Sequence, residues 1–165
     1  TAELPGPVYF RLGRGREPDV YADRAEAFEV GSVAVLREGA DLTIVANGIT
    51  VFEALKAADE LATRGVQAAV LDAHTVRPFD GSTVAAHARE SGNLLVAEEH
   101  NVVGGVASAC AEALVAHGLA DVRLHRIGMP ADEYSLIGPP THLYRHYGMD
   151  AAGIAAAASS LLGES

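Results

Sequence analysis

From Gly31 onward, short apolar runs alternate with segments of helical period, and this alternation constrains the fold more than any other feature of the chain. Ser32–Arg37, Asp41–Ala46, Gln67–Leu71, Asn93–Ala97 and Asp121–Ile127 read as strands, bounded by glycine or polar punctuation. Between them, Val51, Leu55, Ala58 and Ala62 recur on one helical face that Gly65 stops. Asp80 stands as N-cap to a helix bearing Val84, Ala85 and Ala88 that ends at Gly92. Val103, Val106, Ala107, Cys110 and Leu114 form the stripe of the next helix, which ends at Gly118. A short helix follows Pro139-Pro140 and closes at Gly148; Asp150 then caps a last helix carrying Ile154, Ala157, Ala158, Leu161 and Leu162. Repeated strand–helix units predict a mostly parallel sheet with helices on its faces. The turn residues Glu38-Gly39-Ala40 predict a hairpin between the first two strands, which makes the first strand antiparallel.

At 165 residues, 49% of them apolar, the chain can build a core without disulfides or a structural metal. Cys110 is the only cysteine, so no internal disulfide forms; among small residues on a helix it reads as a buried thiol, which fits a reduced, cytoplasmic setting. The net charge of −10 argues against a nucleic-acid or anionic-membrane surface. No apolar run is long enough to span a bilayer, and no signal peptide is visible. The chain begins with Thr1, as a processed protein or a piece of a longer one would. Residues 1–29 differ from the rest: Pro7–Leu12 is strand-like, Gly13-Arg14-Gly15-Arg16 follows, and a charged stretch with little periodicity runs to Glu29. They read as a strand end and a linker, leaving residues 30–165 as the domain.

The stretch 94-LLVAEEHNVVGGVASACAEAL-114 has the look of an active-site rim. Gly104-Gly105 at a strand–helix junction could set backbone N–H groups around a phosphate. The spacings of the dinucleotide and mononucleotide loops are absent, however, which favours glycines that serve a sharp turn and close helix packing. Adjacent carboxylates on a strand point to opposite faces, so Glu98 and Glu99 are not a paired acid and base. His100, at the carboxyl end of a parallel strand, reads either as a general acid or substrate contact or as a loop residue shaping an interface. His142 and His146 have the spacing of two metal ligands, but no third ligand is evident, and a solvated pair is favoured. His74 has no marked nucleophile beside it and reads as structural. Arg11, Arg14 and Arg16 either bind an anion such as a sugar phosphate or belong to a solvated linker.

Three segments together resemble one family. Leu42–Asp80, LTIVANGITVFEALKAADELATRGVQAAVLDAHTVRPFD, is similar to the start of the C-terminal domain of transketolase-type thiamine-diphosphate enzymes. Leu94–Leu114 resembles that family's V-x-x-E-x-H-x-x-x-G-G-x-G-S-A pattern, with Ala107 where glycine is usual. Arg126–Gly148, RIGMPADEYSLIGPPTHLYRHYG, resembles its closing pattern. The resemblance spans residues 7–162. His74-Thr75 and His100 look most like split, two-polypeptide transketolases; a pyruvate dehydrogenase β chain more often has arginine at position 74.

The resemblance implies an α/β three-layer sandwich on a mostly parallel five-stranded sheet. It also implies that Pro7–Gly15 is the last strand of a preceding pyrimidine-binding domain, and that Arg14 contacts the substrate phosphate. The thiamine diphosphate and Mg of the full assembly are then held by the remaining domains or subunit, because the metal-diphosphate segment and the activating glutamate have no match here. This chain is expected to supply dimerisation and stability within a homodimer or heterotetramer that transfers a two-carbon ketol unit between sugar phosphates. Other readings are the corresponding part of deoxyxylulose-phosphate synthase or of a 2-oxoacid dehydrogenase β subunit, and a non-catalytic binding or regulatory module.

Overall fold

A computed structural model describes residues 4–13, 18–21 and 28–163. Five strands form one sheet: β1 (Ala34–Arg37), β2 (Leu42–Ala46), β3 (Ala68–Asp72), β4 (Asn93–Asn101) and β5 (Arg123–Met129). Five helices accompany them: α1 (Ile49–Thr63), α2 (Gly81–Ser91), α3 (Val106–Ala116), α4 (Pro140–His146) and α5 (Ala151–Leu162). The spatial order is β1-β3-β2-β4-β5, parallel throughout except for β1, which runs antiparallel to β3. β2 and β3 are buried along their whole length, as central strands covered on both faces should be.

The expected hairpin does not form. β3 lies between β1 and β2, so the antiparallel direction of β1 comes from its pairing with β3. The reason lies in the connection. Gly39 rests against the start of β3 so closely that a Cβ there would overlap the backbone of Ala68. The Asp41 N–H donates to the Gln67 carbonyl (3.0 Å), and the Asp41 carboxylate accepts from the Gln67 N–H (2.7 Å). The turn therefore crosses the start of β3 instead of folding β1 back on β2.

Alternating residues divide the core into two layers. Ile44, Ala46, Val70, Leu95 and Ala97 face α1 and α5, joined by Val51, Leu61 and Ile154. Val45, Leu71, Leu94 and Val96 face α2 and α3, joined by Val84, Val106 and Cys110. The caps read from the sequence are present: Asp80 accepts from the Thr83 N–H (3.1 Å) and Asp150 from the Gly153 N–H (3.0 Å). Two local expectations are corrected. α3 starts at Val106, leaving Val103 exposed in the preceding loop, and β4 runs on to Asn101 through an irregular pairing with β5. Residues 7–12 form no strand, and Val8, Tyr9, Phe10 and Leu12 stand exposed, because no described strand lies beside them.

Candidate functional site

The sheet's carboxyl edge is where a parallel α/β sheet presents ligand-binding groups. Here it consists of the ends of β2, β3 and β4 and the loops that follow. The β4 end separates its two carboxylates as strand geometry requires. Glu98 lies on the α2–α3 side with 1% of its surface exposed, and its carboxylate accepts from the backbone N–H groups of Val106 (2.7 Å) and Ala107 (3.0 Å). These are the free donors of α3's first turn, so Glu98 caps the helix from outside its own segment and puts negative charge at the positive end of the dipole. Gly105 makes the approach possible, since a Cβ there would overlap the Glu98 carboxylate. The cradle that glycines might have offered a phosphate is thus filled by the protein's own carboxylate.

Glu99 turns to the other side. It accepts from the Arg11 guanidinium (3.2 Å) and from the Tyr144 hydroxyl on α4 (3.0 Å), joining the N-terminal segment to the end of β4. His100 is exposed, with its Nδ1 2.7 Å from the carbonyl oxygen of Asn101. The loop beyond is held by Asn101, which accepts from the Val103 N–H (2.9 Å) and donates to the Pro130 carbonyl (3.2 Å). Arg126 donates to the Val102 carbonyl at 2.9 Å.

A second cluster stands at the end of β3, and the sequence reading missed it. Asp72 shares a face with Ala68 and Val70, yet it is a carboxylic acid with 4% exposure. The Tyr21 hydroxyl donates to its Oδ2 at 2.5 Å, while Oδ1 is buried with no partner among the described residues. Burial pushes the Asp72 carboxyl above its usual range, although the Tyr21 hydrogen bond and the nearby His74 imidazole pull the other way. Burial and the Asp72 carboxyl both raise the Tyr21 phenol. His74 is stacked on Phe28 (centroids 4.2 Å apart, 29° between planes), and Phe28 meets Tyr21 edge-on. Its Nδ1 lies 3.0 Å from the Thr75 hydroxyl and its Nε2 is buried without a partner among the described residues. The available signal was Asp72 closing an apolar run, the one charge on a strand otherwise apolar on both faces.

Arg14 and Arg16 lie outside the described residues. His142 and His146 are exposed on α4, and among the described residues no three His, Cys, Asp or Glu side chains gather to hold a metal ion. Cys110 is fully buried, and burial together with the Glu98 charge pushes its thiol up to about 12. No described helix is long and apolar enough to cross a membrane.

Fold and edge together define a three-layer α/β domain whose most prominent charged motif serves structure. Residues 31–154 match the model of the transketolase C-terminal domain, and the chain belongs to that family. It is 43% identical over 154 residues to a 6-deoxy-6-sulfo-D-fructose transketolase subunit of Clostridium sp., covering 93% of this chain and 46% of that protein. It is 39% identical over 158 residues to a 1-deoxy-D-xylulose-5-phosphate synthase of Geobacter sulfurreducens, covering 95% of this chain and 25% of the synthase. A solved structure described as a split gene transketolase, inactive beta4 tetramer, superposes with a TM-score of 0.89 at 38% identity, over 98% of this chain and 52% of that one. The chain therefore spans about a quarter to about half the length of these relatives.

Proposed function

We propose that this chain is the C-terminal part of a transketolase-like enzyme that moves a two-carbon ketol unit between sugar phosphates. The observation that carries the reading is its likeness along nearly its whole length to one half of a named transketolase subunit. On this reading the remaining domains or a companion subunit hold thiamine diphosphate and Mg. The described residues do not fit that cofactor: Glu98 fills the glycine-fronted start of α3, and no cluster of acidic side chains stands ready for a metal. What this chain contributes is stability, contacts within a homodimer or heterotetramer, and a phosphate contact from Arg14. A guanidinium bound to a phosphate oxygen is a strong, charge-assisted interaction.

The test is ketol transfer by the assembled enzyme, supplied with thiamine diphosphate and Mg. Transfer from xylulose 5-phosphate to ribose 5-phosphate is expected. The likeness to a 1-deoxy-D-xylulose-5-phosphate synthase supports a second reading, on which the assembly instead makes 1-deoxy-D-xylulose 5-phosphate. Neither activity in an intact assembly overturns both. Replacing Arg14 by alanine is expected to raise the KM for the phosphorylated donor about tenfold. An unchanged KM removes the phosphate role.

A further inference from the structure

The loop between β5 and α4 leaves large apolar side chains in solvent. Tyr134 and Ile137 are 101% and 104% exposed, the highest values for large apolar side chains among the described residues, and Leu136 beside Ile137 is exposed as well. Such side chains scattered singly are ordinary; several on one short loop mark a contact surface. The loop is nevertheless held in shape. At its start the Pro130 carbonyl accepts from the Asn101 side chain, which also takes the Val103 N–H, so the neighbouring β4–α3 loop with its exposed Val103 is tied alongside. In its middle the Leu136 N–H donates to the Tyr147 hydroxyl at 3.1 Å, and Tyr147 packs against the core layer of α1 and α5. At its end Pro139 and Pro140 lead into α4. A backbone fixed at these points, with its apolar side chains turned outward, is a preformed surface that needs little further ordering to bind.

The charges on the segment indicate what covers it. Its start carries Asp132 and Glu133, both exposed and without an ion pair among the described residues. Its end, α4, carries His142, Arg145 and His146 at exposed positions. In a chain with 12 lysines and arginines against 22 acidic residues, two copies repel at a distance, so a contact between them must set its few cationic groups against the other copy's acids. An acidic start, an apolar centre and a basic end are complementary to themselves when the segment runs antiparallel to its own copy. A two-fold axis imposes that arrangement, because each patch then meets the same patch in reverse. We infer that residues 131–146 form an isologous contact between two copies of this chain. The axis lies near Leu136 and Ile137, the apolar side chains of both copies meet at the centre, and the acidic pair of each copy faces α4 of the other. Arg145 is available for this: its contact with Asp150 is long, at 3.8 Å, and its side chain is 82% exposed. Desolvated aromatic and aliphatic groups at the centre supply the affinity, and the charged rim sets the register. The inference rests on the proposed function, which calls for contacts between copies, and names the face that makes them.

Sedimentation velocity of the 165-residue chain over a range of concentrations reads the association, with circular dichroism as the check on fold. The wild-type chain is expected to form a dimer. Ile137→Asp is expected to raise its dissociation constant about thirtyfold, the loss typical of a central contact, with an unchanged circular dichroism spectrum. Val115→Asp, at an exposed position in the last turn of α3, should leave the dimer intact. Glu133→Arg and Arg145→Glu should each weaken the dimer about fivefold, and the double variant should recover most of the loss, because the reversed charges again face each other across the axis. A wild-type chain that stays monomeric throughout overturns the inference. A dimer that Ile137→Asp leaves intact overturns it too, since the contact then lies on another face. A double variant no better than the single ones overturns the antiparallel arrangement. Loss of a companion subunit from the assembly in Ile137→Asp, with the dimer of this chain unaffected, assigns the face to that subunit and overturns the contact between copies. Ketol transfer is measured separately: a dimer that behaves as expected, in an assembly without that activity, upholds this inference while the proposed function fails.

Discussion

Replacing Glu98 by alanine should destabilise this domain more than any other single surface-loop or strand-end carboxylate change. Glu98 is 1% exposed and accepts two backbone N–H groups at 2.7 and 3.0 Å. Alanine leaves both donors buried without an acceptor, and each such loss costs about 1–3 kcal/mol. The helix also loses a negative charge at its first turn, worth about 0.3–1 kcal/mol. Water entering the space left by the carboxylate recovers part of this, so a net loss of about 3 kcal/mol is expected. Glutamine keeps one acceptor oxygen but turns its NH2 toward the second helix donor, and should cost about half as much. Urea unfolding followed by circular dichroism measures both variants: the midpoint should fall while the m-value holds. In a thermal scan the alanine variant should melt about 6–12 °C lower. A loss under about 0.5 kcal/mol for alanine, or a glutamine variant less stable than the alanine one, would refute the capping argument.

Gly105→Ala should be at least as damaging, because its Cβ would overlap the same carboxylate; a variant with native thermal stability would show that the helix start can move aside. Asp72 gives a pH signature. Its carboxyl is raised by burial in the folded chain, so the unfolded chain loses this proton first and wild-type stability falls as pH rises through the window that opens near the unperturbed value of 3.8. Asp72→Asn does not titrate, so its stability relative to wild type should grow as pH rises from about 4 toward neutrality; a difference independent of pH contradicts this. Asp80 works oppositely: burial alone would raise its carboxyl, but hydrogen bonds from Thr83, Ser82 and Val33 outweigh it and hold the carboxyl low, so its contribution is lost in acid. Cys110, buried with its thiol at about 12, should resist a thiol reagent at pH 8 until the chain is unfolded; fast labelling of the native protein would contradict its burial.

Much of the fold was legible because each element carries its own signal. Asp80 and Asp150 marked helix starts by chemistry that acts within three residues, and Gly92 marked a helix end by a backbone conformation that glycine readily adopts. The hairpin was misread because strand neighbours are a non-local property: Glu38-Gly39-Ala40 has turn composition, but nothing in it reveals that Gly39 will pack on Ala68. The run Glu98-Glu99-His100 was seen as a rim, and strand alternation correctly parted the two carboxylates. That Glu98 would cap a helix depended on the seven intervening residues folding back, which spacing alone does not disclose. Asp72 was passed over for the same reason, since its partner Tyr21 lies in a segment with no periodicity of its own. Arg14 reached the candidate site through family resemblance, and its residue lies outside the described part of the structure.

Native mass spectrometry of material purified from its source tests the proposal that this chain works as one part of a larger thiamine-dependent assembly. The expected result is a complex containing thiamine diphosphate together with either a companion subunit or a longer polypeptide that includes this sequence. A lone chain of these 165 residues, carrying neither partner nor cofactor, would contradict it.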